Sequence, residues 1–324
     1  MSTAVGEPIL EVKNLFIDYP ITIGTVKAVR DVSFTLNKGD VLGLVGESGC
    51  GKSTLGLSFL KLLRPPGKVS SGSIEFEGRN IMSMGTEELR LLRGAQIAMV
   101  FQNPLTSLGP LLKLRDHFFE TLRVHNAYIS RSAAEKRAGD VLEQLGIERE
   151  RLNEYPHQLS GGMRQRIMIG LGLILNPSIL IADEPTTSLD VIVEAGFVDL
   201  LKSLKEQYEI SIILISHNLA MVAEIANRIA VMYGGRIAEI GTAEQIFAEP
   251  LHPYTQGLIG CVPNINADQE FLISMPGSPP DLVTPPEGCP FAARCPKVME
   301  KCAVAPPPLR EYRPGQQAAC WLYE

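Results

Sequence analysis

The sequence predicts an α/β protein with a parallel-sheet core, an antiparallel β subdomain, a helical subdomain and a small Cys/Pro-rich extension at its C-terminal end. Two observations support this class. Short apolar runs alternate with longer helical patterns over residues 1–260, as in chains that build a parallel sheet. Residues 261–324 hold five of the six Cys and 12 of the 23 Pro, a change of composition that marks a different kind of structure. We therefore predict a domain boundary near residue 260.

Length and composition limit the class of protein. The 324 residues exceed the roughly 250–300 that one hydrophobic core supports, and 45% hydrophobic with 20% charged residues is typical of a soluble globular chain. The net charge of −6 argues against a general nucleic-acid binder, so no nucleic-acid partner is expected. We also expect neither a secretory signal nor a membrane span, because the most apolar stretch, residues 167–181, is interrupted by Asn176 and Pro177.

Two kinds of strand are predicted from the apolar pattern. Alternation predicts half-buried strands of an antiparallel subdomain, at residues 9–19, 33–36 and 73–77. Continuous apolar runs predict strands buried on both faces of a parallel sheet, at residues 41–45, 96–101, 179–182 and 211–215. The sequence therefore predicts two different sheets.

The remaining elements come from helical spacing and from glycines. Residues 107–150 have helical spacing with a stop at Gly146, and we place a helical subdomain over about 107–175. Residues 229–233 and 236–240 flank Gly234 and Gly235, which predicts a hairpin.

A phosphate-binding loop follows the predicted strand 41–45. Residues 46–54, GESGCGKST, match the pattern G-x-x-x-x-G-K-[ST] between a strand and a helix. The glycines allow the backbone to curl so that successive amides point inward. Lys52 would then reach the β and γ phosphates of a nucleotide, and the Ser53 hydroxyl would bind Mg²⁺. The predicted nucleotide contacts in this loop are Gly46, Ser48, Gly49, Cys50, Gly51, Lys52, Ser53 and Thr54.

Two carboxylates follow the predicted strand 179–182. Asp183 at the strand end fits a Mg²⁺ partner, held directly or through water, and Glu184 fits a base that polarises the attacking water. On its own, this pair also fits a solvated acidic turn. The spacing of the other motifs decides between the two.

Those other motifs occur in one recognisable order. Gln102 and His217 each follow a predicted strand, LSGGMRQ occupies residues 159–165, and Ser-Leu-Asp at 188–190 follows the carboxylates. Over about 240 residues the chain thus resembles the ATP-binding cassette (ABC) ATPases, with their Walker A, Q-loop, signature, Walker B, D-loop and switch-histidine segments in the family order. The resemblance implies a P-loop NTPase with a RecA-like core that hydrolyses ATP with Mg²⁺.

The resemblance also implies roles for individual residues. Two cassettes would pack head to tail, so that the signature of one contacts the ATP of the other through Ser160, Gly161, Gly162 and Gln165. Gln102 would touch Mg²⁺ and sense the membrane partner, Asp190 would cross the dimer interface, and His217 would contact the γ-phosphate. Tyr19 either stacks on adenine or is a core tyrosine at a strand end. The implied catalytic residues are Glu184, His217, Gln102 and Lys52, and the implied Mg²⁺ partners are Ser53, Gln102 and Asp183.

Three further segments narrow the resemblance. FQNPLTSL at 101–108, YPHQLS at 155–160 and HPYTQ at 252–256 resemble the dipeptide and oligopeptide permease ATPases, as does the Cys-rich tail. This implies the ATPase subunit of a peptide importer, peripheral on the cytoplasmic face of the membrane. Its partners would be two transmembrane permease subunits, a substrate-binding protein and a second cassette, either a paralogue or a copy. Alternatives are import of nickel or oligosaccharides, or a soluble ABC ATPase without a transport role. Asn218 stands where the family commonly has Asp after the switch histidine.

Four cysteines of the tail form a candidate metal site. Cys289, Cys295, Cys302 and Cys320 are separated by five, six and 17 residues, and four thiolates hold either Zn²⁺ or an iron–sulfur cluster. The spacing itself does not choose between the metals. Some of the permease ATPases that the chain resembles carry a [4Fe-4S] cluster in this tail, so the resemblance implies a cluster, with Zn²⁺ or free thiols as alternatives.

Overall fold

A computed structural model describes residues 6–102, 107–187, 190–261 and 275–324. These residues pack into two compact units. The first unit contains the described residues up to Ser83 and from Leu214 onward, and the second contains those of Met84–Ile213. Residues 262–274, at the start of the predicted extension, lie outside the described part. Residues 275–324 belong to the same unit as the phosphate-binding loop, so the division into two units does not separate the tail at residue 260. The boundary near residue 260 stays a prediction.

The helices and strands are named in chain order. Among the described residues the strands are β1 (Pro8–Ile21), β2 (Gly24–Asn37), β3 (Val41–Val45), β4 (Lys68–Phe76), β5 (Arg79–Asn80), β6 (Ile97–Val100), β7 (Ile179–Asp183), β8 (Ser211–Ser216), β9 (Arg228–Tyr233), β10 (Arg236–Thr242), β11 (Arg310–Arg313) and β12 (Gln316–Ala318). The α-helices of the same residues are α1 (Lys52–Ser58), α2 (Thr86–Leu92), α3 (Leu114–His125), α4 (Arg131–Gln144), α5 (Gly161–Leu173), α6 (Val191–Tyr208), α7 (Leu219–Ala223), α8 (Ala243–Ala248), α9 (Pro253–Gly260) and α10 (Lys301–Val304).

The first unit contains the predicted antiparallel subdomain, a sheet in the order β2–β1–β4–β5. The strands extend further than predicted, since β1 and β2 each span 14 residues. The apolar side chains of Leu10, Val12, Leu15 and Ile17 in β1 are buried. A register shift between Val12 and Leu15 keeps them on the buried face although their spacing is not strictly two. The prediction of an antiparallel subdomain is confirmed.

The same unit contains part of a second sheet, in the order β11–β12–β10–β9–β3. β3 and β9 pair in parallel, and β9 and β10 form the predicted hairpin through Gly234 and Gly235, whose φ angles of 55° and 79° suit glycine. β12 pairs with β10 and so adds the C-terminal residues to this sheet. The sequence gives no signal for that addition, because β12 is only three residues long.

A buried glutamate in β10 fastens later segments of the chain to this sheet. The carboxylate of Glu239, which is fully buried, accepts hydrogen bonds from the backbone N–H groups of Leu251 and His252 at 2.8 and 2.9 Å. It also accepts one from the side-chain amide of Gln316 in β12 at 2.8 Å. A buried carboxylate is stable only when its oxygens are hydrogen-bonded, and here three donors from the C-terminal part of the chain meet that need.

The second unit contains β6 and β7, which pair in parallel from Ile97 opposite Ile179 to Val100 opposite Ala182. The predicted helical region is not one continuous helix, because α3 ends at His125 and α4 begins only at Arg131, where the Ser130 hydroxyl caps it. α4 stops just before Gly146, which has a φ of 68°. β8 begins in this unit and ends in the first, and all six of its residues are buried. In the part of the chain that the structure describes, no helix is both long and apolar enough to cross a membrane.

Candidate functional site

The loop at residues 46–54 has the curled backbone that the sequence predicts, and glycine is sterically required at two of its positions. A Cβ atom on Gly46 would lie 2.2 Å from the carbonyl oxygen of Met232, and one on Gly51 would lie 2.3 Å from that of Ala28. Both glycines also have positive φ angles, of 150° and 103°. Any larger residue at either position would both collide with backbone and be strained.

Lys52 is folded into this curl. Its side chain is buried, and its Nζ atom donates hydrogen bonds to the carbonyl oxygens of Gly46 at 2.7 Å and Glu47 at 3.0 Å. The Nζ atom also lies 3.8 Å from the Sγ atom of Cys50, whose pKa is raised by burial although Lys52 acts in the opposite direction. Burial favours the neutral thiol of Cys50, which suits a side chain that fills space in the loop. The loop thus carries one buried ammonium group held by its own carbonyl oxygens.

In the second unit, Gln102 and Glu184 lie together. Each follows a strand of the parallel pair β6 and β7, and the side-chain amide of Gln102 donates to Oε2 of Glu184 at 2.9 Å. The hydroxyl of Thr187 donates to the same carboxylate at 3.0 Å. Asp183, which is the last residue of β7 and precedes Glu184 in the chain, is buried. The sequence places these residues at strand ends, and the structure brings the amide and the carboxylate into contact.

The backbone at Glu184 is strained. Its φ angle is 44°, in the left-handed region, which costs a non-glycine residue about 1 kcal/mol or more. Nothing in the sequence signals this conformation. The strain turns the chain sharply after β7, so that the carboxylate meets Gln102 and Thr187 rather than continuing the strand.

The signature segment begins helix α5. The Ser160 hydroxyl caps this helix by accepting from the backbone N–H of Met163 at 3.3 Å, and both Ser160 and Gly161 are exposed. Gly162 is half-buried, and a Cβ there would lie 2.8 Å from the side chain of Val193. Gln165 differs from the others because it is only 2% exposed. A contact of its side chain with another molecule would need it to be exposed, so the role proposed for Gln165 has no geometric support here.

Asp190 and Tyr19, two other predicted site residues, make contacts that stabilise the local fold. Asp190 caps α6 by accepting from the backbone N–H of Val193 at 2.9 Å, whereas Ser188 and Leu189 of the same predicted D-loop lie outside the described residues. In the first unit, Tyr19 of β1 is half-buried and its ring covers Gly67, where a Cβ would approach it to 2.3 Å. Packing and adenine stacking both remain compatible with this placement.

His217 and Asn218 follow β8 in the first unit. His217 is exposed, and Asn218 caps helix α7 by accepting from the backbone N–H of Met221 at 3.1 Å. The Asn218 backbone N–H donates to the hydroxyl of Ser216 at 2.9 Å. Asparagine and aspartate cap helices equally well, so the departure at Asn218 preserves the local fold while removing a carboxylate.

The four tail cysteines are close enough to influence one another but do not form a metal-binding group. Burial raises the pKa of Cys289 to about 11, with smaller contributions from Cys302, Cys320 and Cys295, and burial also raises the pKa of Cys295 and Cys320. Across the described residues, no three His, Cys, Asp or Glu side chains are arranged to hold an ion. Burial thus favours the protonated thiol at Cys289, Cys295 and Cys320, whereas a [4Fe-4S] cluster or Zn²⁺ binds thiolates, so the metal site of the tail stays a prediction.

Sequence analysis missed two residues that contact the phosphate-binding loop, Tyr254 and Arg294. The backbone N–H of Glu47 donates to the hydroxyl of Tyr254 at 3.0 Å, and the Glu47 carboxylate forms an ion pair with Arg294 at 2.8 Å. Tyr254 belongs to the HPYTQ segment and Arg294 to the Cys-rich tail. No local pattern signals these contacts, since the partners are 207 and 247 residues apart in sequence.

Comparison with protein-family models gives two matches. Residues 29–187 match the ABC transporter family, and residues 238–302 match the C-terminal region of oligopeptide/dipeptide transporters. The first match covers the phosphate-binding loop, Gln102, the signature and the carboxylates. The second covers the segment that contains Tyr254 and Arg294.

Known proteins are similar over almost the whole chain. The dipeptide transport ATP-binding protein DppD of Bacillus subtilis is 46% identical over 321 residues, which are 98% of this chain and 96% of that protein. The oligopeptide transport ATP-binding protein OppD of Haemophilus influenzae is 44% identical over 97% of both chains. OppD of Escherichia coli is 43% identical over 98% of this chain and 94% of its own.

Solved structures of ATP-binding cassettes share the fold. A dimeric post-hydrolysis state of the cassette MJ0796 bound to ADP and Pi superposes with a TM-score of 0.65 at 26% identity, over 72% of this chain and 98% of that one. The cassette cbiO1 of Clostridium perfringens gives a TM-score of 0.65 at 30% identity, over 75% and 92%. The predicted P-loop fold and ATP hydrolysis are confirmed, and ATP with Mg²⁺ are the ligands expected of such an enzyme. The chain belongs to the ABC transporter ATPases, in the family of dipeptide and oligopeptide permease ATP-binding subunits.

Proposed function

We propose that this ATPase drives the import of dipeptides or oligopeptides through separate membrane permease subunits. One observation carries the substrate class: the likeness to peptide transport ATP-binding proteins extends over 98% of the chain and includes the C-terminal region. A general ABC cassette would match only the nucleotide-binding part. The geometry of the phosphate-binding loop, and separately that of Gln102 and Glu184, supports the chemistry, as follows.

The phosphate-binding loop holds the nucleotide. The buried Lys52 ammonium, held by the carbonyl oxygens of Gly46 and Glu47, exchanges these weak partners for phosphate oxygens and neutralises part of their charge. The loop amides from Gly46 to Thr54 supply further donors. Mg²⁺, when bound, neutralises phosphate charge, and Ser53, Gln102 and Asp183 are the residues that would hold it.

Glu184 is the proposed base. A carboxylate that polarises the attacking water must be fixed in direction, and the bonds from Gln102 at 2.9 Å and Thr187 at 3.0 Å fix it. The strained backbone of Glu184 supports the same role, because strain of this kind persists where the surrounding structure requires one orientation. His217 completes the proposed catalytic set by contacting the γ-phosphate.

A second cassette completes the site. Ser160 and Gly161 are exposed at the start of a helix of 13 residues, where backbone N–H groups favour an anion. We assign this surface to the ATP of a partner cassette, which is either a copy of this chain or a paralogue. Asp190 is exposed as well and lies at the proposed dimer interface.

The partners and location follow from the proposed transport. Two transmembrane permease subunits would form the pathway, a substrate-binding protein would deliver the peptide, and the chain would lie on the cytoplasmic face of the membrane. Uptake of nickel or oligosaccharides, and a soluble ABC ATPase without a permease, are the alternatives that an experiment must separate.

Transport by reconstituted complexes tests the proposal. The chain is purified from its native membrane with its accompanying permease subunits and placed in proteoliposomes with ATP inside and a labelled dipeptide with the binding protein outside. We expect ATP-dependent peptide uptake that Glu184→Gln abolishes. Uptake of Ni²⁺ or an oligosaccharide instead of peptide would contradict the substrate class, and purification without any permease subunit would favour a soluble ATPase.

The tail metal is a separate proposal that rests on the cysteine pattern and the family resemblance. If Cys289, Cys295, Cys302 and Cys320 hold a [4Fe-4S] cluster, anaerobically purified protein contains about four irons per chain and absorbs visible light. Stoichiometric zinc without visible absorbance would select the Zn²⁺ alternative. Anaerobically purified native protein that contains neither iron nor zinc, and whose six cysteines all react with a thiol reagent once it is unfolded, would reject both metals.

A further inference from the structure

We propose that Arg294 is a positioning residue of the nucleotide site: it fixes Glu47 and thereby the phosphate-binding loop that holds Lys52. The proposal rests on the proposed role of that loop in binding ATP. All of the residues involved belong to the first unit. The Cys-rich tail would therefore contribute directly to ATP affinity.

Arg294 is held in one orientation on every side. Its Nη1 and Nη2 atoms donate to the two carboxylate oxygens of Glu47 at 2.8 and 2.9 Å, which is the paired geometry of the strongest Arg–carboxylate contacts. Its Nε atom donates to the carbonyl oxygen of Pro276 at 2.8 Å, and Nη1 also donates to the hydroxyl of Tyr233 at 3.2 Å. The guanidinium carbon lies 5.7 Å from the centre of the Tyr233 ring.

Burial separates this ion pair from ordinary surface pairs. The side chain of Arg294 is 5% exposed and that of Glu47 is 25% exposed. The hydrogen bond to Glu47 is the largest contribution that raises the pKa of Arg294, so its charge is permanent. In the same tail, Arg310 pairs with Glu324 while its own side chain stays 59% exposed. An exposed pair of that kind adds little to stability, whereas breaking a buried pair leaves a charge without compensation.

Glu47 is also fixed through its backbone. Its N–H donates to the hydroxyl of Tyr254 at 3.0 Å, and its carbonyl oxygen accepts from Nζ of Lys52 at 3.0 Å. Tyr254 is fully buried and packs against Tyr233, with ring centres 4.5 Å apart and ring planes tilted by 54°. A continuous set of contacts therefore leads from Arg294 through Glu47 to the lysine that would bind phosphate.

Charge gives the ion pair a second effect on ATP. Glu47 places a carboxylate in the loop where a highly charged anion would bind, and like charges at close range repel. The paired guanidinium neutralises that carboxylate. Loss of Arg294 would both loosen the loop and leave a negative charge beside the phosphates, and both effects weaken ATP binding.

Binding of MgATP and steady-state hydrolysis test the proposal on the full-length chain. In Arg294→Gln we expect the Kd and KM for MgATP to rise roughly tenfold, with kcat within about twofold of the parent because Glu184 and Gln102 are untouched. Arg294→Lys keeps the charge but loses the paired geometry, so its Kd should lie between that of the parent and that of Arg294→Gln. Arg310→Ala, in the same tail, should bind MgATP like the parent.

Variants of Glu47 test whether Glu47 and Arg294 affect ATP binding through the same contact. Glu47→Ala loses the same contact but also removes the repelling carboxylate, so it should weaken binding less than Arg294→Gln. The double variant Glu47→Ala with Arg294→Gln should be no weaker than Arg294→Gln alone, because both changes break the same contact. Parent-like affinity in both Arg294 variants, or multiplied losses in the double variant, would overturn the proposal. If Arg294→Gln does not fold, an unchanged Kd for MgATP in Arg294→Lys is enough to overturn the proposal. Lys52→Ala, measured in parallel, distinguishes failure of this proposal from failure of the proposed function. If Lys52→Ala binds MgATP like the parent, the loop itself is not the ATP site.

Discussion

The side-chain amide of Gln102 donates a hydrogen bond to the carboxylate of Glu184 across 2.9 Å. The two residues follow parallel strands β6 and β7, and each lies two positions beyond the register pair of Val100 and Ala182. Equal offsets from paired residues explain why an amide and a carboxylate 82 positions apart in the chain meet without long side chains. The resemblance to ABC ATPases implies that Gln102 senses the membrane partner and that Glu184 activates water. The hydrogen bond therefore directly connects the residues of these two proposed roles.

Replacement of the proposed base should stop hydrolysis but not binding. Glu184→Gln retains the shape of the side chain and removes its charge, so we expect kcat to fall on the order of 100-fold or more while MgATP still binds. Phosphate release and nucleotide binding measure the two effects. Glu206→Gln, an exposed position of α6, is the matched control. Hydrolysis by Glu184→Gln at the parent rate would show that another group activates the water.

Lys52 should matter for binding itself. Lys52→Ala removes a buried ammonium and its charge-assisted contacts with phosphate, each worth about 1.5–3 kcal/mol, so MgATP affinity should fall roughly tenfold to a hundredfold. Calorimetry on the parent and the variant measures the loss. Lys61→Ala is the control, because Lys61 is exposed and donates to the carbonyl oxygen of Met82, outside the loop. Equal losses in both variants would indicate a general charge effect rather than a site.

Ser160 should act on the ATP of the partner cassette. Neither Ser160→Arg nor Lys52→Ala chains should hydrolyse ATP alone, because every site in either dimer lacks one half. Mixed and allowed to exchange, they should recover about a quarter of the parent rate if two copies pair with two-fold symmetry, since half of the dimers are mixed and each has one intact site. Phosphate release from the mixture measures the recovery. Labelled chains show whether the subunits exchange. If they exchange without recovery, either Ser160 acts within its own chain or the native pair is a heterodimer. In the second case, the same test is run with the paralogue as one partner.

The sequence predicts the parts of the fold that depend on local patterns. Val41–Val45 is found as predicted, because five apolar residues before a glycine loop have few other structures open to them. The contact between Glu47 and Arg294 could not be predicted, since an ion pair between residues 247 positions apart depends on how β9, β10 and the tail pack. The strained backbone of Glu184 is likewise a product of tertiary contacts. For the four tail cysteines the pattern suggests a metal, but in the described part of the chain no three such side chains are arranged around an ion, so the metal stays a prediction.

Acid stability should depend on His252, which caps helix α9 from a fully buried position. Burial lowers the pKa of His252 to about 4 from its ordinary 6.5, despite an opposing hydrogen bond with the backbone of Ala319. Between these two values the unfolded chain binds a proton that the folded chain does not, so the free energy of unfolding falls as the pH falls through this window, by up to about 1.4 kcal/mol per pH unit.

Comparison of two variants with the parent isolates this contribution. His252→Gln cannot take up the proton, so its free energy of unfolding should depend less on pH than that of the parent between pH 6.5 and 4, even if the variant is less stable throughout. Denaturant unfolding at a series of pH values measures the difference. His157→Gln, at an exposed position, should retain the pH dependence of the parent. If His252→Gln and the parent lost stability in parallel over this window, His252 would titrate normally in the folded chain, and its burial would have to be incomplete in solution.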